Sequence, residues 1–198
     1  MVVYEIGGDF DHYDTCSIMF ADLSGTSVDL NSKDFNPYLY DNNFDGTSKQ
    51  AEWIPRILTR DNDHPLGDFS FCFNGGAMVM KHAAIEKLRP IMGIFEMLPL
   101  SSKDGDYSVV NILTVLDCVD YVNSRYVSLK ARATDRYPRI LRFEKCSLLP
   151  EAIHGHHIFR IINHPKSRLY VDEVFVNEVL KQGITGFAFE QIWASEAE

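Results

Sequence analysis

Two stretches of this chain superpose without a gap at a constant offset of 92 residues, and that echo limits the folds open to it. Val79 meets Val171, Leu88 meets Leu180 and Phe95 meets Phe187; apolar character also matches at Ala84/Val176, Met92/Ile184, Met97/Phe189 and Leu100/Ile192. Each stretch reads as a helix running into a strand, and each follows an earlier apolar segment, 69–73 or 158–162. In the first, Ala77, Met80, Ala84 and Leu88 fall at i, i+3, i+7 and i+11, with Lys81, His82, Glu86, Lys87 and Arg89 facing the other way. That spacing predicts an amphipathic helix of about three turns, stopped by Pro90 and Gly93. In the second, Val171, Phe175 and Val179 share a face, Asp172 is placed to cap the start, and Gly183 lies just past the end.

Strands are expected at 2–6, 16–23, 94–100, 107–116, 137–143, 158–162 and 185–193, from β-branched and aromatic runs bounded by turn residues. The alternation Phe69-Ser-Phe-Cys-Phe73 puts three rings on one face of another strand. Residues 52–60 look extended, with Pro55 confining them to an edge or bend. Residues 24–50, rich in Asn, Asp, Ser and Gly, read as a long irregular connection. The expected fold class is α+β: a mainly antiparallel sheet with two amphipathic helices, built from two similar strand–helix–strand units sharing one core. At 198 residues this is a single domain, 1–198, divided into an acidic N-terminal part (1–50), a first lobe (51–124) and a second lobe (125–198).

Charge sharpens the division. The net charge is −9, and residues 1–50 alone carry −7: Glu5 and eight aspartates against Lys33 and Lys49. An anionic balance argues against general nucleic-acid or anionic-membrane binding, which needs a concentrated positive field. No apolar run approaches the roughly 18–20 residues of a membrane span. The first residues, Met-Val-Val-Tyr-Glu, lack the basic region of a secretory signal, so a cytoplasmic location is expected. Cys16, Cys72, Cys118 and Cys146 lie 56, 46 and 28 residues apart, without the spacing of a zinc knuckle or redox motif, and read as reduced core thiols. The acidic surface, with Asp9, Asp11, Asp14 and Asp22 as candidate partner-binding residues, would steer a basic protein by complementary potential.

Asp9, Asp11 and Asp14 hint at calcium but lack the central Gly and terminal Glu of a calcium-binding hand. His154, His156 and His157, with His164 seven residues on, could ligate a transition metal and support an enzyme of unrecognised class; no Cys or Glu stands nearby at helical spacing, so solvated or strand-edge histidines are the better reading. Arg125, Lys130, Arg132, Arg136, Arg139, Arg142 and Lys145, interleaved with Tyr126, Tyr137 and Phe143, offer an RNA-binding alternative, interrupted by Asp135 and Glu144. No Gly-x-Ser-x-Gly elbow and no phosphate-cradling glycine loop occurs. The residues therefore predict a chain without catalysis and without a cofactor.

Several motifs taken together resemble a known family. Asn111, Asp117 and Asp120 fit an Asn-x-x-x-x-x-Asp-x-x-Asp pattern; Gly183, Thr185, Gly186, Phe189 and Glu190 fit a closing Gly-Leu-Thr-Gly-x-x-Phe-Glu; and Trp53-x-Pro55 precedes the first helix. With Ile158-Phe-Arg160 and Leu169-Tyr-Val-Asp-Glu173 between them, this order resembles the bacterial immunity proteins of polymorphic toxin systems, immunity protein family eleven, first catalogued as a domain of unknown function. The resemblance covers about residues 50–193. It departs at Met80, where the first helix loses a side-chain cap, and at Asp172, which replaces one good cap by another. It implies a cytoplasmic, non-catalytic protein whose partner is a cognate toxin domain, basic if the acidic quarter meets it.

Overall fold

The computed structural model describes residues 1–20, 44–54, 56–72, 77–130, 138–162, 164 and 168–195. In chain order its elements are β1 (Val2–Gly8), β2 (Cys16–Phe20), β3 (Arg56–Arg60), β4 (Phe69–Cys72), β5 (Ala77–Lys81), α1 (His82–Leu88), β6 (Phe95–Ser101), β7 (Tyr107–Ile112), β8 (Val115–Leu116), β9 (Arg125–Ser128), β10 (Ile140–Lys145), α2 (Pro150–Ile153), β11 (Ile158–Ile161), β12 (Tyr170–Asp172), α3 (Glu173–Lys181) and β13 (Phe187–Ala194). Among the described residues no helix is long and apolar enough to cross a membrane.

Six strands close a barrel in the order β2-β3-β6-β7-β5-β4, with β2/β4 and β3/β6 parallel and the other pairs antiparallel. A five-stranded sheet, β13-β1-β12-β11-β8, stands beside it, and β9 and β10 form a two-stranded ribbon. The alternation of side chains along the strands sorts them into three cores. Cys16, Ile18, Val79, Leu98, Tyr107 and Val109 fill the barrel. Met78, Met80, Val110 and Ile112 point out of its wall and meet α1, α3 and the sheet residues Ile6, Ile158 and Val171. Behind the sheet, Val3, Phe159, Ile161 and Tyr170 pack with Cys118, Cys146 and the inner residue of the ribbon, Ile140.

This overturns the expected α+β class. The protein is mainly β, organised around a closed barrel, with three short helices among the described residues in place of the two amphipathic ones expected. The error lies at residues 77–81. They form a strand, and the helix begins only at His82. Met78, Val79 and Met80 are buried on both faces, so the strand shows an apolar run instead of alternation and blends into the period of the helix behind it. The capless start fits: Lys81 gives α1 no side-chain cap, whereas Asp172 accepts from the Phe175 N–H at 3.0 Å and caps α3. Pro55, Phe73, Gly75, Gly76 and Tyr137 lie outside the described residues.

The 92-residue offset relates β5, α1 and β6 to β12, α3 and β13. Within each set the strands before and after the helix flank a common antiparallel strand: β7 in the first, the N-terminal β1 in the second. Antiparallel β4 beside β5 matches antiparallel β11 beside β12, so β6-β7-β5-β4 and β13-β1-β12-β11 have the same order and sense. The equivalence is not carried down to every side chain. Leu88 is fully buried, while Leu180 is 69% exposed.

Candidate partner-binding surface

Asp9 and Asp11 sit in the turn after β1. Asp9 is held by its own N–H to the Gly186 carbonyl (2.9 Å), and its carboxylate meets His12 Nδ1 at 3.0 Å; Asp11 is exposed. Asp14 is different. It is 4% exposed and accepts from the Asn62 N–H (2.7 Å) and Asn62 Nδ2 (2.9 Å), so it staples the 9–15 turn to the turn after β3. Asp22 lies outside the described residues.

Around this pair the fold adds acids far away in sequence. Asp61 accepts from Thr15 Oγ1 (2.8 Å) and Ser17 Oγ (2.7 Å), Arg60 meets Asp104 at 3.4 Å, and the Tyr107 hydroxyl donates to the Gly67 carbonyl at 3.0 Å. These contacts tie the turns 9–15, 61–67 and 102–106 into one rim at an end of the barrel. It carries Asp9, Asp11, Asp61, Asp63, Asp104 and Asp106 against two cations, Arg60 and Lys103. Five of the six carboxylates are exposed, and Asp9 is half-buried. Asp61, Asp63, Asp104 and Asp106 escaped sequence reasoning because their quarters are nearly neutral in sum; only the closure of the barrel brings them to the first turn.

The motif residues that carry the family resemblance have other work. Asn111 is buried and donates to the Thr47 carbonyl (2.9 Å) and to Glu96 (3.0 Å), which also accepts from the Lys49 N–H at 2.9 Å and from Ser48. Burial opposes ionisation of Glu96, but these donors hold its carboxyl below the usual range. Asp120 caps its own turn by accepting from the Val122 and Asn123 N–H groups at 3.0 and 3.1 Å. Thr185 exchanges hydrogen bonds with Asp68, and its carbonyl accepts from the Phe69 N–H at 2.9 Å, joining β4 to the turn before β13. The Trp53 indole donates to the Pro99 carbonyl at 2.9 Å under Arg56. These are scaffold contacts.

The histidines do not converge. His154 and His156 are exposed, and His157 is engaged by Asp172 at 2.8 Å, beside the start of α3. His164 is buried between Phe143, with which it stacks at 5.0 Å, and Tyr170, whose hydroxyl meets Nδ1 at 2.8 Å. Among the described residues no three His, Cys, Asp or Glu side chains gather as a metal site. On the basic ribbon Arg125, Arg142 and Lys145 are exposed, but Tyr126 and Phe143 pack against the core behind the sheet, so neither is free to stack on a base. Arg132 and Arg136 lie outside the described residues. Cys118 and Cys146 are buried, and burial pushes both thiols up to about 12.

No curated protein matches this chain. A model of the Immunity protein family (Imm11) matches residues 96–194, half of its length, running from β6 to the last residue of β13 and including Asn111, Asp120, Thr185 and Gly186. The chain thus belongs to the Imm11 immunity protein family.

Proposed function

We propose that this protein neutralises a cognate bacterial toxin domain in the cytoplasm by occupying the toxin's surface, with no reaction of its own. The observation that carries this reading is the acidic rim: three turns from distant parts of the chain, fixed to one another by hydrogen bonds, present six aspartates and two cations. Membership of an immunity family supplies the class of partner. The rim supplies its sign, since carboxylates held on a rigid scaffold steer a basic protein and raise its association rate. The motif residues support the same division of labour, because they hold the fold and leave the rim free to contact a partner.

The test is co-expression with the toxin encoded beside it, scored for survival and co-purification, followed by association kinetics. Asp9→Asn, Asp11→Asn and Asp63→Asn together should leave the unfolding midpoint unchanged, slow association by about tenfold at low salt and flatten its salt dependence. Unchanged kinetics would remove the rim from the interface. Asp14→Asn is a poor probe of binding, since it disrupts the staple to Asn62.

A further inference from the structure

In the five-stranded sheet β13 has one neighbour, β1, and among the described residues no strand pairs with its other edge. Its counterpart β6 is covered there: β3 lies along the equivalent edge in parallel, with Arg56 opposite Leu100 and Ile57 opposite Ser101. At the 92-residue offset Leu100 and Ser101 become Ile192 and Trp193, and these two line a slot of about 760 Å³ between β13 and the end of β10 with the residues after it. We infer that the open edge of β13 takes an extended strand of the toxin, running parallel to β13 and carrying a Lys or Arg beside Glu190.

Three observations carry it. The first is the direction of the backbone. The Gly186 carbonyl accepts from the Asp9 N–H at 2.9 Å, so by the alternation of an antiparallel pair the N–H groups of Phe187, Phe189 and Gln191 point away from β1, up to the register shift that follows Gln191. The Ile6 N–H agrees: it turns to the Leu169 carbonyl at 3.0 Å and not to Phe189 opposite it. The slot takes in five consecutive residues, 191–195, from both faces of the strand, so it opens along the edge. The second is the sequence of that edge. Exposed edges are commonly guarded by Lys, by Pro or by short length. Strand β13 is eight residues long, Phe-Ala-Phe-Glu-Gln-Ile-Trp-Ala, without Lys, Arg or Pro. The third is charge. Glu190 is exposed and stands opposite Glu5, two carboxylates side by side on one face of the sheet. Burial pushes the Glu5 carboxyl up, the ion pair with Arg168 opposes it, and the Glu190 charge adds to the rise. Like charges at facing strand positions repel, and a cation beside Glu190 on the next strand would relieve them. A basic toxin supplies that cation, and here the inference rests on the function proposed above. The edge also begins at the acidic rim, where Asp9 holds Gly186, so one partner can engage both.

The experiment uses the full chain and the toxin domain encoded beside it, with residue-resolved amide hydrogen exchange by NMR in the free and bound states, and dissociation kinetics. The Phe189 and Gln191 amides should exchange fast in the free protein and at least about tenfold more slowly in the complex. Gln191→Pro removes an outward N–H without touching the ladder to β1, and should speed dissociation about tenfold with association kept. Glu190→Lys should weaken binding about tenfold while the unfolding midpoint holds or rises, because the change ends the repulsion of Glu5. Amides that stay fast in the complex, or binding that ignores Glu190→Lys, would overturn the inference. So would protection already present in the free protein: if constant, the chain covers its own edge; if it grows with concentration, a second copy does. If the rim variants slow association while β13 stays unprotected in the complex, this inference fails and the rim reading stands, whereas a toxin that does not bind the unaltered chain removes both.

Discussion

Gly183 and Gly186 stand three residues apart with left-handed φ angles of +62° and +94°, and replacing each by alanine should have very different consequences. A Cβ on Gly183 meets nothing within 4 Å. There Gly183→Ala costs only the left-handed backbone of an L residue, about 1 kcal/mol. A Cβ on Gly186 would lie 2.0 Å from the Phe69 carbonyl oxygen and 3.3 Å from the Gly67 Cα. That oxygen belongs to backbone and cannot swing aside alone. Moving it separates the Phe69 N–H from the Thr185 carbonyl (2.9 Å) and strains the exchange between Asp68 and Thr185. Two or three hydrogen bonds at about 1 kcal/mol each, added to the backbone cost, give a loss of about 4 kcal/mol. With a urea slope of about 2 kcal/mol per molar, the midpoint should fall by about 2 M for Gly186→Ala and about 0.5 M for Gly183→Ala. Equal shifts for the two variants would show that β4 and the turn before β13 do not approach this closely.

Three further outcomes follow from particular side chains. The unfolded chain protonates His164 near its ordinary value of 6.5, while the folded chain refuses the proton until about 3, so its contribution to stability is complete above 6.5 and is lost as pH falls below it. That amounts to about 2 kcal/mol by pH 5, and urea titrations at pH 7 and 5 should show the loss shrinking in His164→Phe. Asp172→Ala removes the cap on the Phe175 N–H and the contact to His157, and should cost about 2 kcal/mol by the same assay. The buried thiols of Cys16, Cys72, Cys118 and Cys146 should resist an aromatic disulfide reagent at pH 8 in the native state and all react in urea; rapid reaction of Cys118 or Cys146 in buffer would contradict their burial.

What could be read from the residues depended on how local its cause was. The α3 cap was legible because Asp172 and the amide it satisfies are three residues apart. Residues 77–81 were misread because both faces of β5 are buried, and the second face is covered by elements the local pattern does not contain. Asp11 and Asp14 look alike in sequence, yet one is exposed and the other buried, and Asn62, 48 residues from Asp14, makes the difference. Arg160 carried a signal that went unused: a single cation inside the apolar run Ile158-Phe-Arg-Ile161, all four residues buried. Burial lowers its pKa to about 10, and its Nε donates to the Ile112 carbonyl at 3.2 Å.

The placement of these features bears on how such a protein could change partner without losing its fold. The contacts that close the structure run through Asn111 and Glu96, Asp68 and Thr185, and Asp14 and Asn62; each satisfies buried or half-buried polar groups, so exchanging one member leaves the other unpaired at a cost of about 1–3 kcal/mol. Asp11, Asp63 and Asp106 are exposed, and substitutions at such positions usually change stability by less than about 0.5 kcal/mol. Their charges still act at the range of a Debye length, roughly 8–10 Å, where they set the rate at which a charged protein arrives. If the rim is the toxin-binding surface proposed above, its residues weigh heavily on association and lightly on folding, so it can follow a changing toxin provided the turns that display it stay pinned by Asp14, Asp61 and Arg60.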